Sequence, residues 1–177
     1  MVEIKERDFS SALTKVFAAN GLSSLLSMER MELFYRLTER MLCENEKYNL
    51  TAITDIDKII LNHYADCCSL SAKLKKGATV IDVGCGAGFP SLPLAIVRPD
   101  LMITAMDSTA KRVNYVAETA AMLGLMINPT VSVSNTLSPQ GSSSFLVVGS
   151  SVANSLSSER TPAPVSALSN VDLPALV

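Results

Sequence analysis

The spacing of apolar positions changes twice along this chain of 177 residues and divides it into three parts. The first part has helical spacing. Residues 8–20 read as a helix that stops at Gly21, a residue suited to a left-handed cap. Residues 28–47 give the clearest helix. There Met31, Phe34, Leu37, Thr38, Met41 and Leu42 recur at three- and four-residue intervals and make one apolar face. The opposite face carries Glu29, Arg30, Glu32, Arg36, Glu39 and Arg40, which read as solvated charges paired along the helix. A connector, Tyr48–Asp55, leads to a third helix over 56–73, capped by Thr54 or Asp55, with the stripe Ile56, Ile59, Ile60, His63 and Cys67.

The second part begins near residue 79, where the helical period gives way to short apolar runs. Thr79–Val83 is nearly all apolar, as expected of a strand buried on both faces. A glycine-rich turn then opens a helix across Leu92–Val97, which ends at Arg98-Pro99. Leu101–Met106 reads as a second strand, and Ser108 as the cap of a helix that runs to Leu123 and ends at Gly124. Strand, helix, strand, helix in this order predicts βαβ units on a parallel sheet.

The third part starts near residue 131. Residues 131–177 hold 13 serines, against 9 in the preceding 130 positions, and only Glu159, Arg160 and Asp172 are charged. Prolines stand at 139, 162, 164 and 174, and no period is sustained. This composition predicts a loose Ser/Pro-rich tail with one strand at 145–148. The resulting organisation is a helical region at 1–75 packing on the sheet, a βαβα core at 76–130 and a divergent tail at 131–177.

Composition narrows the chemistry. Hydrophobic residues are 48% of the chain and aromatics 5%, with no Trp, so the core is aliphatic and needs no disulfide staples. The formal net charge is -2, which excludes a global basic field of the kind that binds nucleic acid without further structure. The four cysteines, Cys43, Cys67, Cys68 and Cys85, lack metal-ligand spacing, and no metal is expected. The start of the chain does not read as a signal peptide, and no apolar run is long enough to span a bilayer, so a reduced cytoplasmic protein without membrane contact is expected.

The candidate chemistry lies in Val80-Ile-Asp-Val-Gly-Cys-Gly-Ala-Gly-Phe-Pro90. Glycines at Gly84, Gly86 and Gly88 allow a tight turn and a close approach of backbone to a ligand. A second strand ending in Asp107 supplies an acid for ribose hydroxyls, 23 residues after Gly84. Strand, glycine triplet, helix and acid-ended strand together point to a nucleoside-bearing cofactor. The alternating glycines differ from the nicotinamide fingerprint and favour S-adenosyl-L-methionine. Candidate cofactor-binding residues are Asp82, Gly84, Cys85, Gly86, Gly88, Phe89, Asp107 and Ser108. Asp82 is expected either to fix the glycine loop or to take the cofactor's ammonium through water. Cys85 reads as a small residue accommodated in the loop.

Five ordered stretches resemble the bacterial 16S ribosomal RNA guanine-N7 methyltransferases, also called glucose-inhibited division protein B. They are Glu44–Ile53, His63-Tyr-Ala-Asp66, Val80–Pro90, Leu94–Asp100 and Asp107–Val113. The resemblance implies an α/β, Rossmann-like class I methyltransferase fold with an N-terminal helical extension and a sheet incomplete at its C-terminal end. It implies methyl transfer from S-adenosyl-L-methionine to guanine N7 of 16S ribosomal RNA, with the RNA or the 30S subunit as partner. Guanine N7 is already nucleophilic, so a positioning mechanism is expected, with no catalytic acid, base or metal. His63, Lys111 and Arg112 are the candidate RNA contacts. For His63 the rival reading is a core-facing ring on an amphipathic helix. Lys73, Lys75 and Lys76, taken with Lys47, Lys111 and Arg112, form either a modest phosphate-contacting patch or solvated helix ends.

The resemblance implies a third strand at Thr130–Ser134, and past residue 130 the chain departs from the family's pattern. Leu146 stands where the family's fourth strand has an acid, and Ser151 where an arginine follows it. This departure predicts lowered cofactor affinity and impaired transfer, with an inactive cofactor-binding paralogue as the alternative. Oligomeric state is not legible in the sequence.

Overall fold

In the computed structural model of this chain, residues 5–131 are described in full and residues 145–149 as backbone. The Ser/Pro-rich segments at 132–144 and 150–177, which include Ser151 and the end of the strand expected at Thr130–Ser134, lie outside the described residues.

The first helix, α1 (Glu6–Ala19), buries Phe9, Leu13 and Phe17, one residue every four, and ends in the left-handed Gly21 at φ +71°. The second, α2 (Met28–Tyr48), starts at Ser27, whose hydroxyl accepts from Arg30 N–H at 3.2 Å, and stops at the left-handed Asn49. Its buried positions, Phe34, Leu37, Thr38, Met41 and Glu44, follow the apolar stripe read from the sequence. The charged face is less solvated than the pattern suggests. Arg30 donates to Leu25 O, Arg36 donates to Met122 O, and Arg40 pairs with Glu118 at 2.8 Å. These arginines tie α2 to its neighbours.

The expected regular helix over 56–73 is a composite. One α-turn, α3 (Ile56–Lys58), is capped by Asp55, whose side chain accepts from Lys58 N–H at 3.0 Å. A π-helical stretch follows at Ile59–Ala65, then α4 (Asp66–Ser69) and a 3-10 turn at Leu70–Lys73. The wider π turn rotates the stripe, so that Tyr64, Ala65 and Cys68 are buried together with Ile59, Ile60, His63 and Cys67. Tyr64 and Thr38 share a buried hydroxyl–hydroxyl hydrogen bond of 2.7 Å.

The sheet holds four parallel strands among the described residues, in the order β3-β2-β1-β4. They are β1 (Thr79–Val83), β2 (Met102–Asp107), β3 (Ile127–Val131) and β4 (Phe145–Gly149). Between them run α5 (Ser91–Val97) and α6 (Ala110–Leu123). This is the α/β, Rossmann-like arrangement that the sequence predicts. β3 corrects the expected strand at Thr130–Ser134: it begins three residues earlier and contains Pro129, which an edge strand tolerates because one row of its N–H groups needs no partner.

Every residue of α5 is buried, because the sheet covers one side of it and α2 and α4 cover the other. The N-terminal helices thus rest mainly on the helical layer of α5 and α6. Below that layer, Val80, Leu94, Ala95, Leu101 and Ile103 form a second buried cluster against the sheet. Below β1, Arg98 ties the helices to the strand. It donates to the carbonyls of Ser71, Leu74 and Lys75 and pairs with Asp100, which also accepts from Gly77 N–H.

Candidate cofactor site at the strand ends

In-register pairing of Asp82 with Ala105 and of Val83 with Met106 sets the C-terminal ends of β1 and β2 side by side. The chain leaves β1 in a loop pinned to β2: the N–H groups of Gly84 and Cys85 both donate to Met106 O, at 2.7 and 2.8 Å. Gly84, Gly86 and Gly88 have φ of +77°, +54° and +85°, a region that side chains rarely adopt. Gly88 has a second constraint. A Cβ there would sit 2.4 Å from Leu92 Cδ1, and Leu92 is fully buried. Gly86 differs: a Cβ would meet nothing nearer than Gly84 O at 3.9 Å, so its outer side is open.

Asp82 is fully buried at the end of β1. Its Oδ2 accepts from Ser91 Oγ at 2.6 Å and from Ser91 N–H at 3.3 Å, which fixes the start of α5. Its Oδ1 is buried without a hydrogen-bond partner among the described residues. Burial pushes this carboxyl up to about 6, against the opposing hydrogen bonds from Ser91. Ser91 itself escaped sequence reading, although it opens the helix directly after the Phe-Pro dipeptide.

Asp107 is 3% exposed, and each of its carboxylate oxygens holds one backbone N–H. Oδ2 accepts from Gly86 N–H at 3.0 Å, and Oδ1 accepts from Thr109 N–H at 2.8 Å. Asp107 therefore does at the start of α6 what was expected of Ser108. The helix begins two residues after Ser108, which is exposed and not its cap. Arg112, half-exposed on the first turn of α6, places Nη1 3.5 Å from Asp107 Oδ2.

Phe89 closes the loop from the other side. Its ring stacks on His63 with centroids 4.4 Å apart and planes 7° from parallel. His63 Nε2 lies 3.1 Å from Thr51 Oγ1, a contact that the sequence did not suggest. The ring is buried, as in the core-facing reading, and it stacks on Phe89 of the glycine loop. Burial lowers its pKa to about 4, so the ring is neutral at neutral pH. Cys85 is buried in the loop, and burial pushes its thiol up to about 12, so it stays protonated. Asp66 makes no hydrogen bond through its carboxylate among the described residues, and burial raises its pKa.

The strand ends thus gather Asp82, the three glycines, Cys85, Phe89, Asp107, His63 and Arg112. Lys111 lines a different cleft of about 140 Å³ with Arg40, Glu44, Tyr48, Asn114, Tyr115 and Glu118. The lysines do not form one patch. Lys75 and Lys76 lie before β1, at the end of the strand opposite the glycine loop, while Lys111 and Arg112 follow β2. Lys47 is engaged with Glu44 at 3.0 Å. A larger groove of about 480 Å³ lies between α1 and α2, away from the loop. Among the described residues, no cluster of three or more His, Cys, Asp or Glu is arranged to hold a metal ion, and no helix is long and apolar enough to cross a membrane.

Comparison with known proteins agrees with this architecture. A family model described as rRNA small subunit methyltransferase G matches residues 29–146, from α2 to the start of β4. Ribosomal RNA small subunit methyltransferase G of Clostridium perfringens is 51% identical over 83 residues, covering 46% of this chain and 35% of that protein. The protein of the same name from an Exiguobacterium species is 48% identical over 104 residues, covering 56% of this chain and 43% of its own length. That of Leuconostoc mesenteroides is 43% identical over 122 residues, covering 67% and 48%. The matches span less than half the length of each of these relatives. The strand ends, the glycine loop and both carboxylates all fall inside the matched segment, and the chain belongs to the rRNA small subunit methyltransferase G family.

Proposed function

We propose that this chain binds S-adenosyl-L-methionine at the ends of β1 and β2 and transfers its methyl group to guanine N7 of 16S ribosomal RNA. The observation that carries the reading is the pair of carboxylates flanking the glycine loop. Asp82 has a buried oxygen without a partner among the described residues, and Asp107 is fastened to the N–H of Gly86. These residues fit the cofactor. Asp82 Oδ1 suits a donor from its amino-acid end, directly or through water. Asp107 suits the ribose diol, and the open side of Gly86 leaves room beside the backbone. Gly84, Cys85, Gly88, Phe89 and Ser108 would line the same loop. The bound cofactor supplies an electrophilic methyl group on a sulfonium.

The chain's own residues have a positioning role. Residues 76–131 form the cofactor-binding core together with β4, which pairs with β1 from within the divergent segment, and residues 1–75 brace it. The stacked His63 and Phe89 hold the loop in one shape, and the neutral imidazole adds no charge beside a cationic donor. Guanine N7 needs no proton removed, so catalysis consists of alignment and exclusion of water. Arg112, on the rim of the site, would meet the RNA, and Lys111 would contact it from the neighbouring cleft, with the 30S subunit or its free RNA as substrate in the cytoplasm.

The test is transfer of a labelled methyl group from S-adenosyl-L-methionine to 30S subunits that lack the modification, with the product base identified. The reading requires 7-methylguanine, and loss of transfer in Asp107→Ala and Gly86→Asp. Label on another base would overturn the N7 assignment. The second reading, a chain that binds the cofactor without turnover, draws on the end of the family match at residue 146. It would show as saturable binding with no transfer.

A further inference from the structure

Asp107 has two carboxylate oxygens, each able to accept two hydrogen bonds. One position on Oδ2 is taken by Gly86 N–H and one on Oδ1 by Thr109 N–H. These backbone bonds set the carboxylate's orientation. The approach to Oδ2 is covered by Arg112, with Nη1 at 3.5 Å. That distance is a Coulombic contact longer than a good hydrogen bond, and the arginine is half-exposed, so it holds weakly. The Arg112 guanidinium has no other hydrogen bond or ion pair among the described residues. It occupies ground that a ribose diol would need, and it stands on the rim of the site.

We infer that Arg112 is a coupling residue that cofactor displaces: it covers Asp107 in the free chain, yields the carboxylate to the ribose hydroxyls, and is thereby released toward a phosphate of the RNA substrate. The inference rests on the reading of the strand ends as the S-adenosyl-L-methionine site. The exchange is favourable because two hydroxyl donors to a carboxylate, in fixed geometry, replace one long ion pair. The freed guanidinium is suited to a phosphate, which it grips with two parallel N–H donors. Cofactor occupancy would then raise RNA affinity, and RNA would raise cofactor affinity by the same factor.

Two titrations of the full-length chain test this. In the first, adenosine and S-adenosylhomocysteine are titrated by calorimetry into the unmodified protein, Arg112→Ala and Arg112→Lys. Neither ligand carries a net charge, so removal of a positive charge does not by itself favour them. Arg112→Ala is expected to bind both about three- to tenfold more tightly, with Arg112→Lys close to the unmodified protein. In the second, binding of 16S ribosomal RNA is measured with and without saturating S-adenosylhomocysteine across a salt series. The unmodified protein should bind RNA more tightly with the ligand present, with the salt slope steeper by about one ion, and Arg112→Ala should show neither change.

Equal or weaker ligand binding by Arg112→Ala would overturn the displacement while leaving the cofactor site standing. RNA affinity indifferent to ligand would overturn the coupling. No binding of either ligand by any of the three proteins would remove the cofactor site itself, and the inference with it.

Discussion

The carboxylate of Asp107 accepts a hydrogen bond from Gly86 N–H at 3.0 Å, across the gap between the two strand ends. The acid at the end of β2 therefore shapes the loop that leaves β1. Its second oxygen starts α6 through Thr109 N–H at 2.8 Å. Asp107→Ala should leave two N–H groups without their acceptor and destabilise the fold by about 2–4 kcal/mol. Asp107→Asn keeps one acceptor and should lose less. Chemical denaturation of the three proteins checks the order, and equal stability of all three would contradict it.

The glycines of the loop should respond unequally to a methyl group. Gly88→Ala combines positive φ with a contact of 2.4 Å to buried Leu92, so a loss of about 2–4 kcal/mol is expected. Gly86→Ala meets only the backbone strain, about 1 kcal/mol. Ligand binding should rank them the other way among folded protein, because the added methyl group at Gly86 points into the open side of the loop. Melting temperatures and ligand titrations of both variants decide this.

His63 and Asp82 give opposing pH dependences. His63 titrates at about 4 in the fold against 6.5 when exposed. The unfolded chain thus binds more protons between those values, and stability falls as pH drops through this window, by roughly 3 kcal/mol. Asp82 titrates at about 6 against 3.8. There the folded chain binds more protons, and stability is lost as pH rises through the window from about 4 to 6. The two nearly cancel in the unmodified protein. Asp82→Asn should therefore expose a clear loss of stability on acidification from pH 6.5 to 4, and His63→Phe the reverse. A flat profile in both variants would show that neither group is buried as described.

Much of this architecture is legible in the sequence. β1 runs over the same Thr79–Val83, and the stripe of α2 is buried from Phe34 to Met41. Both follow from periodic apolar positions between clear stop signals. The misplacements have local causes. β3 starts three residues before the expected position and takes in Pro129, which an edge strand accommodates. Ser108 reads as a cap, but a carboxylate one residue earlier takes the N–H of Thr109.

The π turn at Ile59–Ala65 leaves no mark in the periodicity, because it shifts the stripe by a single residue. Of the site, the glycine triplet and the two acids are legible as a motif. Ser91 and Thr51 are not, since each becomes a partner only when distant segments meet. The arginines of α2 look like surface charge for the same reason: their acceptors lie on other elements.

The proposed hold of Asp107 on the nucleoside of the methyl donor, at the ends of β1 and β2, is tested by calorimetric titration of S-adenosylhomocysteine into the 177-residue chain and into folded Asp107→Asn. Saturable one-to-one binding is expected, weakened at least tenfold in the variant. Equal binding by both proteins, or no heat from the unmodified chain at millimolar ligand, would contradict it.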